Sequence, residues 1–325
     1  MRPGRLLDSP RLASRFVSLI GYKKRDSSFC LNEYSEEWLN LHTFLVKNCG
    51  NSENHSILLC SLLLGYGLDA YVCLGTKSKN QPHSWVVTIS YDFKEVIFWE
   101  SLTGNRYIHS INNQDNLNVV ITHPYKTIGC IFNHISFYAN IQLLANVDTC
   151  SFDLRDSSKW KGISEDAIKT ICIPIQYFPL LCENEINHAI VSEYMEREIK
   201  SLVCIHRKEI GLSTFWDDNL SYVLSSALFS YENERINGLS IGNEEFDQAI
   251  KTLVPDGHSF KAFPIQTNSL NPTKNFNLCL KSPMFEQIIF CKGDQVKLAL
   301  RIRIFPYPES CIATWIMLAC RYKAI

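Results

Sequence analysis

The 325-residue chain carries 32 Lys and Arg against 33 Asp and Glu, a net charge of −1. That balance excludes a protein built chiefly to coat nucleic acid or an anionic membrane. A hydrophobic content of 46% and a charged content of 20% describe ordinary globular protein of about two domains, and no apolar run approaches the roughly 18 residues of a membrane-spanning helix.

The N-terminus, "MRPGRLLDSPRLASRFVSLIGYKKR", is basic but has neither a continuous apolar core nor a small-residue cleavage site, so no signal peptide is expected in it. Residues 1–26 read as a lead-in to a first domain at 27–150. In "SEEWLNLHTFLVKNCG", Trp38, Leu41, Phe44 and Leu45 fall at helical spacing, with Gly50 as a stop. A second helix follows in "SENHSILLCSLLLGYG". Ser52 stands at its N-cap, Ile57, Leu58, Leu62 and Leu63 form a wide apolar face, and Gly65 and Gly67 end it. "LDAYVCLG" is a short buried strand. "HSWVVTIS" and "EVIFWES" form an antiparallel hairpin, and "SINNQDNLNV" is a polar loop. A helix followed by three strands predicts an α+β domain with the helix against an antiparallel sheet.

From residue 151 to 325 the pattern is a mixed α/β domain. Helices are predicted in "SEYMEREIKSLVCIHRKEIG", in "DDNLSYVLSSALFSYENER" with Asp217 or Asp218 as cap, and in "GNEEFDQAIKTLVPDG". Two strands, "QVKLALRIRIF" and "CIATWIMLACRYK", close the chain. In the first, Val296, Leu298, Leu300, Ile302 and Ile304 alternate with Lys297, Arg301 and Arg303, which read as a solvated face.

The thirteen cysteines are scattered singly, without a CxxC pair or a Cys/His spacing suited to zinc. Cys60, Cys73 and Cys320 lie in apolar runs, where a thiol is a small buried hydrophobe. The reading is a reducing, cytosolic compartment, free thiols, no metal and no cofactor.

Papain-like acyl transfer needs a thiolate at a helix N-terminus, a His to take the proton and a polar group to orient that His. The helix beginning in "GNSEN", His83 at the head of one strand and Glu100 at the end of its neighbour offer such a frame, with His83 and Glu100 side by side on one face. Cys60 is eight residues along the helix, about 12 Å down its axis, in apolar company that makes a thiol inert. Cys49 lies upstream without helix N–H groups beneath it. Ser52 as nucleophile would depend wholly on His83, whereas a Ser at a helix start has a structural use as cap. His55 reads as exposed or a local contact, and Trp85 and Trp99 as packing between sheet and helix.

The segments "GNSENHSILLCSLLLGYGLDAYVCLG", "PHSWVV" and "FWESLTG" resemble the transglutaminase-like fold in its ciliary and centrosomal branch. "RLASRFVSLIGY", "GCIFNH", "VPDGHSFKAFPI", "KGDQVKLALRIRIFPYPES" and "WIMLACRY" carry that resemblance along nearly the whole chain. It implies a nucleophile position at Ser52, a His at His83 and an Asp replaced by Glu100, so a degenerate triad without its thiol. It further implies an N-terminal C2-like region beyond this chain and a non-catalytic regulator that limits centriole duplication. The implied location is the centrosome and centriole (basal body) within the cytoplasm and cytoskeleton. The implied partners are centriolar proteins, among them the centriolar coiled-coil cap protein of 110 kDa, with no nucleic acid. The competing reading is an active hydrolase or acyltransferase using Ser52 or Cys49 with His83 and Glu100.

Overall fold

A computed structural model describes residues 6–23, 38–93, 95–109, 123–171, 181–240 and 242–323. The chain forms two compact units, Met1–Leu181 and Cys182–Ile325. Among the described residues no helix is long and apolar enough to cross a membrane. The polar loop expected at 110–119 lies outside the described residues.

The first unit begins with α1 (Pro10–Leu19). Ser9 caps it by accepting from the Leu12 N–H at 3.2 Å, and Pro10 sits where its missing N–H costs nothing. Ala13, Phe16, Val17 and Leu19 are buried and α1 packs on α3, so this stretch belongs to the core of the unit instead of leading into it. A short parallel pair follows, β1 (Gly21–Tyr22) with β2 (Cys49–Gly50). Between them, α2 (Leu41–Lys47) is capped by Asn40 and ends at Asn48, whose φ of 46° is left-handed. The helix expected over 35–50 is therefore shorter within the described residues, and Gly50 is strand, not stop. Gly50 is required for a different reason: a Cβ there would lie 2.7 Å from the Phe44 ring and 2.8 Å from Asn54 Oδ1.

The helix α3 (Ser52–Gly65) ends as expected, with Gly67 at φ +81°. It leads into β3 (Ala70–Lys77), β4 (Pro82–Ile89), β5 (Val96–Trp99) and β6 (Arg106–His109), then β7 (Tyr125–Phe132), β8 (Phe137–Asn140), β9 (Trp160–Gly162) and α4 (Glu165–Ile171). These strands form a seven-stranded antiparallel sheet in the order β6-β5-β4-β3-β7-β8-β9. The β4–β5 hairpin stands where the sequence put it. Because β9 pairs with β8, the unit runs beyond residue 150. One face of the sheet holds a core of Trp85, Val87, Phe98, Tyr125, Ile128, Ile131, Phe152 and Trp160.

In the second unit, α5 (His188–Glu209), α6 (Asp218–Asn237) and α7 (Glu244–Leu253) match the three expected helices, with Asp217 as the cap of α6. Then come β10 (His258–Thr267), α8 (Pro272–Leu280), α9 (Pro283–Ile289), β11 (Asp294–Pro306) and β12 (Ile312–Lys323). The sheet is antiparallel in the order β10-β12-β11, and the central strand β12 is buried from Ile312 to Cys320. Its core joins Met195, Ile199 and Val203 of α5 to Leu298, Leu300, Ile302, Ile316 and Leu318. Arg301 and Arg303 are half-buried, not a solvated row. Arg301 pairs with Glu196 at 3.4 Å, and Arg303 donates to Ser225 Oγ at 3.1 Å, because α5 and α6 both pack against β11.

Candidate functional site

The first turn of α3 is built by a reciprocal cap. Asn51 Oδ1 accepts from the Asn54 N–H at 2.9 Å, and Asn54 Oδ1 accepts from the Asn51 N–H at 3.2 Å. Asn51 is therefore the N-cap, and Ser52, expected there, is the first helical residue. Its Oγ donates to Glu53 Oε2 at 3.0 Å, and Glu53 places a carboxylate at the positive end of the helix.

The helix meets the sheet through small hydroxyl side chains. Ser56 Oγ donates to Ser84 Oγ at 3.2 Å and lies 3.1 Å from Ser101 Oγ. Alternation along β4 then puts Ser84, Val86 and Thr88 on the α3 face and His83, Trp85 and Val87 on the other. Trp99, opposite Val86, lies on the helix face and donates to Thr88 Oγ1 at 2.9 Å, as expected of a packing residue. Trp85 does not sit between sheet and helix. It stacks on Tyr125 at 4.1 Å within the opposite core.

His83 and Glu100 come together. His83 Nε2 lies 3.1 and 3.0 Å from the two Glu100 oxygens. Glu100 is 2% exposed and accepts from three further groups: Lys77 Nζ at 2.9 Å, Tyr125 Oη at 3.2 Å and the Leu102 N–H at 3.3 Å. Four segments thus converge on one carboxylate: the end of β3, the start of β4, the turn after β5 and the start of β7. Burial pushes the Glu100 carboxyl up, but the hydrogen bond and charge of His83, then Lys77, outweigh it and hold the group below its ordinary range. Burial first, and then the Glu100 charge, pushes the Tyr125 phenol well above its usual value. Sequence reasoning missed Lys77 and Tyr125. Lys77 closes a strand read only to Gly75, and Tyr125 opens a strand that was not read.

Neither Ser52 nor any described cysteine hydrogen-bonds to the His83 ring, whose partner among the described residues is Glu100. Cys49 lies in β2 beside Gly21. Cys60 is buried on α3, and burial pushes its thiol up to about 12. Cys73 is pushed well above its usual range by the same cause. The described cysteines are free thiols. His55, read as exposed or a local contact, is 1% exposed and does make a local contact one turn back. Its ring nitrogens lie 2.7 Å from the Asn51 carbonyl and 3.2 Å from the Ile20 carbonyl, tying α3 to the end of α1. Burial lowers its pKa, against the pull of those two carbonyls. Among the described residues no group of three His, Cys, Asp or Glu is placed to hold a metal ion. The arrangement is an oriented, charge-compensated imidazole–carboxylate couple with the helix-start hydroxyl turned to Glu53.

Two family models match in order along the chain: a CEP76 peptidase-like domain over residues 36–163 and the centrosomal protein of 76 kDa C-terminal domain over residues 184–323. The centrosomal protein of 76 kDa of Homo sapiens is 51% identical over the whole of this chain and 50% of its own length. That of Danio rerio is 47% identical over the same shares. Protein CC2D2B of Homo sapiens is 25% identical over 95% of this chain and 20% of its own length. The chain spans about half the length of the first of these relatives. A peptidase-like unit and a C-terminal unit, both matched in order and at about half identity throughout, place the chain in the family of the centrosomal protein of 76 kDa.

Proposed function

We propose that the chain is part of a centrosomal scaffold whose first unit is a degenerate transglutaminase-like domain, one that holds a partner peptide and does not cleave it. The observation that carries this reading is the site itself. His83 and Glu100 are positioned as an acid–base couple, yet the hydroxyl at the family's nucleophile position is bonded to Glu53, and the nearest thiol on the helix is buried and protonated. An oriented imidazole–carboxylate couple with no nucleophile bonded to it suits recognition of a segment better than its cleavage. The family supports a location at the centrosome and centriole. The proposed role is a restraint on centriole duplication exerted through centriolar partners, the cap protein of 110 kDa among them.

Restoring the thiol tests the reading. Ser52→Cys puts sulfur on the first residue of α3, where helix N–H groups favour thiolate. Its alkylation by iodoacetamide at neutral pH is expected to be at least tenfold faster than that of Cys49 or Cys60, with no amide hydrolysis or transglutamination. The unaltered protein is expected to show neither. Turnover by the unaltered chain, abolished by Ser52→Ala, would instead establish the hydrolase. In cells whose own copy is replaced, centriole number is expected to survive Ser52→Ala.

A further inference from the structure

The sheet of the second unit has two edges, and they are finished differently. Along β11, the Leu298 N–H donates to the Phe215 carbonyl at 2.8 Å, and the Asp217 N–H donates to the Leu298 carbonyl at 2.8 Å. The Leu300 N–H donates to Ser221 Oγ at 3.3 Å, and the Ile302 N–H to Glu196 Oε1 at 2.9 Å. That edge is sealed by α5, α6 and the segment between them.

Those bonds also fix which residues face outwards. Antiparallel partners alternate between pairs that exchange hydrogen bonds and pairs that do not. Leu298, Leu300 and Ile302 face out, so Ala299, Arg301 and Arg303 bond Ala319, Met317 and Trp315. β12 must then turn Ile316, Leu318 and Cys320 toward β10, where their partners are Ile265, Phe263 and Lys261. The outward set on β10 is Phe260, Ala262, Pro264 and Gln266. Pro264 supports this independently, since a residue without an N–H is tolerated in a strand where that N–H would face away from the ladder.

Among the described residues nothing hydrogen-bonds to the outward backbone groups of these four residues. Only the first outward donor of the strand, the His258 N–H, is taken, by the Pro255 carbonyl at 3.1 Å. Lys261 is exposed, its ammonium 5.7 Å over the Tyr322 ring, with no carboxylate partner among the described residues. We propose that the open edge of β10 from His258 to Pro264 is a docking site for an extended peptide segment of a partner protein, added as a fourth strand. The segment bonds the N–H and C=O groups of Phe260 and Ala262 and carries an acidic side chain beside Lys261. Pro264 ends the added ladder after a few residues, which keeps the edge from templating a long pairing with other copies of the chain.

Hydrogen–deuterium exchange on the full chain tests this, with the acetylated, amidated peptide Val-Thr-Glu-Val-Thr-Val as probe at millimolar concentration. Exchange at Phe260 and Ala262 is expected to slow at least threefold, with Leu298 to Ile302 unchanged. The same peptide with Lys in place of Glu is expected to protect less, and Lys261→Glu to reverse that order. Ala262→Pro removes an outward donor of the same parity as Pro264 and keeps every bond to β12. It is expected to retain the melting temperature and lose the protection. Three results would overturn the proposal: no slowing with either peptide, protection that survives Ala262→Pro, or protection that rises with protein concentration alone, which would assign the edge to a second copy.

Discussion

Each unit buries one carboxylate to the same extent, Glu100 in the first and Glu232 in the second, both 2% exposed. Glu232 accepts from the Tyr307 hydroxyl and from Trp315 Nε1, which lash α6 to the end of β11 and to β12. Glu100 accepts from His83 and Lys77, groups that carry or can acquire a proton. Glu232 is a fastening between elements, of the kind a folded core uses. Glu100 organises an imidazole that makes no other hydrogen bond among the described residues.

The strongest way to break that comparison is to separate Glu100 from its partner. Glu100→Leu leaves the buried His83 imidazole, the Tyr125 hydroxyl and the Lys77 ammonium without their acceptor and is expected to cost about 3 kcal/mol of the stability of the first unit, read by urea unfolding. Adding His83→Leu is expected to recover at least half of the loss. A double variant as unstable as the sum of the two single changes would show that His83 and Glu100 are not energetically coupled.

Acid sharpens it further. Burial lowers the pKa of His55, His109 and His123 below the ordinary 6.5 in the folded first unit. Below pH 6.5 the unfolded chain therefore binds more protons than the folded one, and stability falls as pH drops from 6.5 through the lowered folded values. The contribution of Glu100 has the opposite origin, a carboxylate held low, and persists until pH falls below the ordinary carboxylate value near 4.5. The melting temperature of the first unit is expected to decline between pH 6.5 and 5, and His55→Gln to flatten that decline. An equal decline in the variant would remove His55 from the account.

The smallest effect separates the two residues at the start of α3. Asn51→Ala is expected to cost about 1 kcal/mol through the lost cap, and Ser52→Ala less than about 0.5 kcal/mol. The reverse order, measured by urea midpoint, would return the cap to Ser52.

The helix-to-hairpin frame of the first unit was legible because its periodicities are strong: an unbroken apolar helix, then strands bounded by glycine and turn residues. The pairing of His83 with Glu100 followed from that register alone. The cap was misplaced by one residue because Asn51 and Ser52 are both good caps, and the reciprocal Asn54 bond, invisible in composition, decides between them. His55 read as exposed or a local contact because polarity is the sequence signal; the local contact to Asn51 is there, but the Ile20 carbonyl and the Phe44 ring at 5.0 Å also bury it. β7 to β9 alternate weakly and border residues with no periodic pattern. In the second unit, "NPTKNF" and "SPMF" hold the Pro starts of α8 and α9, but helices of nine and seven residues offer too few turns for a period to stand out. Arg301 and Arg303 were read by the general rule for charged strand faces, which fails where two helices flank an edge strand.

The order β6-β5-β4-β3-β7 also has a consequence in time. Strands β3 to β6 can pair as soon as they leave the ribosome, but the free side of β3 waits for β7, and the Thr76–Thr127 contact that joins them spans 51 residues. At about 5–20 residues per second, that gap takes roughly 3–10 s to synthesise. During this interval the nascent chain presents an apolar strand with one open edge, carrying Val72, Cys73 and Leu74, so the period of greatest exposure to chaperones and to misassociation falls between the emergence of Lys77 and that of Phe132.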